Sequence, residues 1–138
     1  MAVDFEQLKC YRNENNPFAR KLGIKVEEIS HGYARAVKTV LADELNPAQT
    51  AHGGIYFTLA DVVSGAAAPS HGFAAATVSA DYHYLRSCRA GDTLAAEANE
   101  IKHGKTLCVY DIQITDQQGT LVGTGTYTYF IFDKKLEI

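Results

Sequence analysis

His52-Gly53-Gly54-Ile55-Tyr56-Phe57-Thr58-Leu59-Ala60-Asp61-Val62-Val63-Ser64-Gly65-Ala66-Ala67-Ala68 is the stretch that decides the fold. Its apolar residues recur with a helical period, and Pro69 and Gly72 stop it. Plotted at about 100° per residue, Ile55, Leu59, Val62, Val63 and Ala66 cover one broad side. A narrower stripe opposite them holds Thr58, Asp61, Ser64 and Gly65. A helix this apolar must be covered on most sides. Asp61 is its only charge, although Asp is a poor helix former beyond the first turn.

Working outward, the flanks supply the cover. Asp4 to Asn13 reads as a short amphipathic helix with Phe5, Leu8 and Tyr11 on one side, broken by Asn15, Asn16 and Pro17. Ile24 to Ile29 and Tyr33 to Leu41 alternate around a His31-Gly32 turn, which makes a hairpin. Ala42 to Ala51 reads as a loop. Four β-runs follow the central helix: Ala74 to Arg86, Thr93 to His103, Lys105 to Thr115 and Thr120 to Phe132. Their separators carry glycine and are short (Ala90-Gly91-Asp92, His103-Gly104-Lys105, Gln117-Gln118-Gly119), so we expect each run to lie antiparallel beside the next. The economical fold is α+β, an antiparallel sheet wrapped around one long central helix. The pattern does not by itself separate this from a related α+β roll. Residues 1–138 form a single domain on this reading, a length that can bury a real core.

Composition narrows the function classes. The net charge is −3 with no block of Lys or Arg, so neither nucleic acid nor an anionic membrane is expected as the partner. The stretch from Gly53 to Ala68 is too short to span a bilayer, and the N-terminal residues lack the apolar core of a signal peptide. We therefore expect a soluble, cytoplasmic protein. Cys10, Cys88 and Cys108 are odd in number and widely spaced, which points to reduced thiols and to neither a disulfide framework nor a structural metal. No cofactor is expected.

Two features of the central helix carry chemistry. The stripe around Asp61 is made of small residues and lacks the Lys, Glu and Gln of a solvated face. It is either a modest wet face or a surface approached closely by another group. In the second case desolvation would raise the Asp61 pKa and suit it to general-base work. At the helix start, Gly53 and Gly54 stand where the first backbone N–H groups are unpaired, at the positive end of the helix dipole. Such donors can hold a developing oxyanion. Eight residues separate Gly53 from Asp61, roughly 12 Å along a helix. One carbonyl cannot reach both, because each reacting contact must be about 3 Å. Two copies of the helix, antiparallel across a two-fold axis, would bring Gly53 of one subunit to Asp61 of the other.

The run Asn46-Pro47-Ala48-Gln49-Thr50-Ala51-His52-Gly53-Gly54, followed by Thr58-Leu59-Ala60-Asp61, resembles the signature of hotdog-fold acyl-CoA thioesterases, in particular the phenylacetate-pathway group known as PaaI. Leu22-Gly23-Ile24, Tyr84-Leu85-Arg86, Gly91-Asp92-Thr93-Leu94, His103-Gly104-Lys105 and Tyr110-Asp111-Ile112 extend the resemblance over most of the chain. It implies a hotdog fold and hydrolysis of an aryl- or medium-chain acyl-CoA. It assigns Asp61 as base or nucleophile and Gly53 as the main oxyanion donor, from opposite subunits of a homodimer or a dimer of dimers (a homotetramer). Asn46 and His52 would orient the thioester or the water, and Gly54 would line the substrate beside Gly53. Thr77, or Ser79 on the same strand face, would stand near the carboxylate. Arg86, Arg89 and Lys105 are candidate contacts for the phosphates of CoA. Many relatives carry Pro where this chain has Ser87, which puts local CoA contacts in question. Two other functions stay open: a hydratase or dehydratase pairing a carboxylate with a histidine, and a non-catalytic acyl-CoA-binding domain.

Overall fold

A computed structural model describes residues 2–138. The central helix α3 spans Gly53–Ala67 and runs on into a 3-10 turn, Ala68–His71. Before it come helix α1 (Phe5–Glu14), helix α2 (Pro17–Lys21), strands β1 (Lys25–Ser30) and β2 (Tyr33–Thr39), and a 3-10 turn at Ala42–Glu44. After it come β3 (Phe73–Tyr84), β4 (Thr93–His103), β5 (Leu107–Thr115) and β6 (Leu121–Lys135).

The six strands form one antiparallel sheet in the order β1-β2-β4-β5-β6-β3, and α3 packs against every one of them. This is the hotdog arrangement. Small residues form the floor under the helix: Ala34 pairs with Ala98 and Ala36 with Ala96, all fully buried. Large residues close the other half, where Tyr110, Ile112 and Ile114 of β5 and Val122, Tyr127 and Tyr129 of β6 turn inward. The two-residue period of a strand puts the β5 residues on one face and Tyr127 and Tyr129 on one face, while Val122 turns inward at a slip in register, where Ile114 pairs with Gly123 and Thr115 with Leu121. Leu59 and Val63 of α3 meet them with no exposed surface, each burial stabilising by about 2 kcal/mol.

Four expectations are corrected. Asn16 and Pro17 do more than end α1. They start α2, because the Asn16 carboxamide caps the Ala19 N–H and proline suits the first helical position. Tyr11 leaves the apolar side of α1 and is 40% exposed, whereas Leu8 is fully buried. Ser64 is fully buried too, its hydroxyl 2.8 Å from the Ala60 carbonyl. The accessible stripe is therefore Gly54, Phe57, Thr58, Asp61 and Gly65. Finally, β3 and β4 are not neighbours. The true link runs from Leu85 to Asp92 and crosses the end of the sheet, so β3 joins β6 at the edge while β4 enters beside β2. Cys88 pins that crossing against the start of α3, accepting from the Ala51 N–H at 2.8 Å and donating to the Tyr56 hydroxyl at 3.0 Å.

One buried charge was not anticipated. Lys38 is 2% exposed, and its ammonium bonds the Glu44 carboxylate at 2.9 Å, the Thr39 carbonyl at 3.3 Å and the Leu22 carbonyl. It ties the end of α2 to the turn that leads into the loop before α3. Among the described residues no helix is long and apolar enough to cross a membrane.

Candidate active site

Asp61 lies half-buried at the middle of α3. Its Oδ1 accepts from the Thr77 hydroxyl at 2.8 Å and from the Tyr129 hydroxyl at 2.9 Å. The Tyr129 hydroxyl also lies 2.8 Å from the Asp61 carbonyl, so its one proton is shared between two acceptors of the same residue. Oδ2 accepts from no described residue and is left for a ligand or a water. Burial, then the negative charge of Asp61, push the Tyr129 phenol well above its ordinary pKa, so it stays a donor at any working pH.

Strand β3 resolves the choice between Thr77 and Ser79. The register with β6 slips between them, Thr77 facing Tyr129 and Ser79 facing Thr128. Val78 is the extra residue of a β-bulge, which reverses the alternation. Thr77 and Ala80 thus share the inner side, and Ser79 does not stand beside the carboxylate as the unbroken pattern predicts.

Arg12 is a residue that sequence reasoning missed. It reaches from α1 into a cavity of about 120 Å³ that it shares with Asp61, Thr77 and Tyr129. Its Nη2 lies 3.1 Å from where a Cβ on Gly65 would stand, so a side chain there would press on the guanidinium. Desolvation lowers the guanidinium pKa, while Tyr129 and Asp61 work in the opposite direction. Among the described residues no carboxylate lies within ion-pair distance of Arg12. The polar wall around Asp61 therefore holds one cation with no ion-pair partner.

The start of α3 forms a second, separate site. His52 is the N-cap, its Nδ1 accepting the Gly54 N–H at 2.9 Å, while the Ile55 N–H bonds the His52 carbonyl. The Gly53 N–H finds no acceptor among the described residues. Gly53 opens into a cavity of about 400 Å³ with Asn46, Tyr84, Arg86 and Ser87 on its walls. Tyr84 donates to the Gly53 carbonyl at 3.0 Å, and its ring lies 3.3 Å from a Cβ built on Gly53. The Asn46 carboxamide is spent on its own loop, accepting from the Ala48 and Thr50 N–H groups, and so it shapes the wall. His52 and Gly54 face a different cavity, with Phe18 and Thr58.

The candidate phosphate contacts are not brought together within one chain. Arg86 lines the Gly53 cavity, Arg89 sits in the turn where its N–H bonds Asp92 at 2.7 Å, and Lys105 borders another hollow beside Phe130. The cysteines are free, and burial raises the Cys88 and Cys108 thiols, which speaks against a thiolate nucleophile.

A sheet wrapped around one helix, with a braced carboxylate in that helix and a free N–H at its start, defines a hotdog-fold thioester hydrolase. The model of the Thioesterase superfamily matches residues 48–123, and the chain belongs to that family, in its PaaI-like group. It is 42% identical over 105 residues to the acyl-coenzyme A thioesterase PaaI of Escherichia coli, an alignment covering 76% of this chain and 75% of that protein. The structure of E. coli PaaI superposes with a TM-score of 0.91 at 35% identity, covering 96% of each chain. A hypothetical thioesterase protein of Streptococcus pneumoniae, solved with coenzyme A, gives a TM-score of 0.77 at 31% identity, covering 82% of this chain and 91% of its own. Alanine variants of that protein replace an aspartate and a threonine 16 residues apart, the separation of Asp61 and Thr77.

Proposed function

We propose that the chain hydrolyses the thioester of an aryl- or medium-chain acyl-CoA to the free acid and CoA, at sites shared between two subunits. The observation that carries this is the division of the helix. The braced carboxylate and the free Gly53 N–H open into different cavities of one chain, and eight residues of helix, about 12 Å, hold them apart. Each is half of a hydrolytic site. Among the described residues the long edge strand β3, which carries Thr77, pairs only with β6 and leaves its other side free, with Val78 and Tyr84 more than half exposed. Joining two such edges about a two-fold axis would complete both sites at once, in a homodimer or a dimer of dimers.

In this assembly the thioester carbonyl oxygen accepts the Gly53 N–H of one subunit, at the positive end of α3. Asp61 of the other subunit takes a proton from a water through Oδ2, while Thr77 and Tyr129 hold Oδ1 still. The water oxygen adds to the carbonyl carbon, the C–S bond breaks, and the CoA sulfur leaves with the electron pair and collects the proton. Direct attack by Asp61 through a mixed anhydride uses the same geometry. The general-base route is favoured here because the carboxylate is fixed by two donors and not aimed by a third group.

A hydratase would need a histidine beside the carboxylate, and His52 opens neither into the Asp61 cavity nor into the Gly53 cavity that would meet it across the two-fold axis. The test is a series of acyl-CoAs of increasing length and aryl character, followed by release of free thiol. Turnover of some members supports the reading. Addition of water to enoyl-CoA without thiol release would replace it with the hydratase.

A further inference from the structure

We propose that His71, Glu100 and His103 form a binding site for a divalent transition-metal ion of the zinc class, at the end of the central helix opposite His52. The three side chains come from two elements. His71 closes the 3-10 turn after α3, and Glu100 and His103 belong to β4. Their ligand atoms all lie within 4.8 Å of one another. His71 Nε2 is 2.6 Å from Glu100 Oε1, and the His71 and His103 rings are 3.7 Å apart between centroids.

Residues 100 and 103 of a regular strand would face opposite ways. Here the register with β5 slips, Glu100 pairing with Tyr110 and Lys102 with Val109. Ile101 is the extra residue of a bulge, and it turns Glu100 and His103 to the same side. Bulges recur where a strand must re-aim a functional side chain.

The surroundings hold this group in place. The Tyr110 hydroxyl donates to Glu100 Oε1 at 3.1 Å, which is how a neighbour orients a ligating carboxylate. The β1–β2 turn is pinned over the cluster by two bonds: the buried Gly32 N–H to Ser70 Oγ at 2.8 Å, and the Glu100 N–H to the Gly32 carbonyl at 2.9 Å. That turn brings His31 edge-on to His71, with ring centroids 4.1 Å apart. Of the imidazoles only His71 hydrogen-bonds Glu100, whereas an ion between His71, Glu100 and His103 would take a lone pair from each of the three.

Two imidazole nitrogens and one carboxylate oxygen are the ligand set of zinc and its neighbours, and not of magnesium or calcium, which take oxygen. Tetrahedral zinc at bonds of about 2.0–2.1 Å separates its ligand atoms by about 3.3 Å. The His71–Glu100 pair opens slightly to admit the ion, and the remaining atoms close in by less than about 1 Å each. Water takes the fourth position.

The experiment uses the full chain freed of metal by chelation, titrated calorimetrically with Zn2+ and by visible absorption with Co2+. The expected result is one ion per chain, a tetrahedral cobalt spectrum and a raised Tm. Glu100→Gln and the double variant His71→Ala/His103→Ala should each weaken zinc binding by more than about 100-fold, beyond the roughly 10–100-fold that the loss of an orienting neighbour costs. His83→Ala, at an exposed histidine paired only with Asp81, should bind as the native chain does. His103→Ala alone alters an exposed residue and serves if the double variant fails to fold. No saturable binding by the native chain, or binding unchanged in His103→Ala and Glu100→Gln, would overturn the proposal.

Discussion

Asp61 is held by two hydroxyls on one oxygen and left bare on the other, an arrangement that separates positioning from chemistry. Asp61→Asn keeps an amide oxygen for both donors and removes only the basic oxygen. The fold should survive, and kcat should fall by about 10² or more, the usual worth of a general base. A steady-state assay with unchanged far-UV dichroism checks this, and near-native turnover would make Asp61 structural. Tyr129→Phe tests the brace. Thr77 still holds Oδ1 and Ser64 keeps the Ala60 carbonyl, but the contacts of the Tyr129 hydroxyl with Asp61 and Ser64 are lost, which should cost about 1.5–3 kcal/mol of stability, the usual worth of a hydrogen bond to a charged group. Turnover should fall by less than in Asp61→Asn, with KM little changed. An unaltered kcat would show that Thr77 alone sets the carboxylate. The helical period made the places of Asp61 and Gly53 on one helix legible, because both belong to one uninterrupted pattern. Tyr129 and Arg12 were not legible: Tyr129 meets Asp61 across 68 residues of chain, and no local pattern of charge or polarity records such a meeting.

At the scale of elements, the number of strands and the position of the main helix were legible from alternation and from glycine-bearing turns. Two kinds of information were lost. A β-bulge leaves no mark on composition, so the slips at Val78 and Ile101, which decide whether Thr77 or Ser79 meets Asp61 and whether Glu100 and His103 face the same way, could not be read. The crossing from β3 to β4 looked like a hairpin because Ala90-Gly91-Asp92 is a real turn, the Gly91 N–H bonding the Val40 carbonyl at 2.8 Å. That turn belongs to β4 and its β2 partner. The buried Lys38–Glu44 pair was hidden for a similar reason, since Lys38 sits in an alternating strand as an ordinary polar residue would. Its side chains are 1% and 9% exposed. Glu44→Ala should therefore destabilise by about 3 kcal/mol, the low end for stranding a buried charge, since two carbonyls still serve the ammonium. Urea denaturation measures it, and Lys38→Met/Glu44→Ala should recover part of the loss. A single variant within about 0.5 kcal/mol of native would mean that the pair is solvated in solution.

The whole molecule is where the division of α3 has its consequence. That Gly53 and Asp61 cannot serve one carbonyl was legible early, since the rise of a helix fixes their separation whatever surrounds it. The separate cavities were not, because they depend on the crossing after β3 and on Arg12. Gly53→Pro isolates the proposed oxyanion donor. Proline is favoured at the first helical position and His52 is already extended, with φ −61° and ψ 139°, so the helix should form without the Gly53 N–H. The new ring would press on Tyr84, which can shift outward since it is exposed. Loss of one such donor should cost kcat about 10²–10³-fold. Mixing Gly53→Pro chains with Asp61→Asn chains then asks where the halves of the site reside. In a two-fold dimer each mixed pair has one site with both defects and one with neither. After full exchange at equal ratio, half of the dimers are mixed, so about a quarter of native activity should return. Mass spectrometry of the intact dimers shows whether exchange has occurred. Exchanged samples no more active than their parents would place Gly53 and Asp61 in different functions, and the shared site would be abandoned.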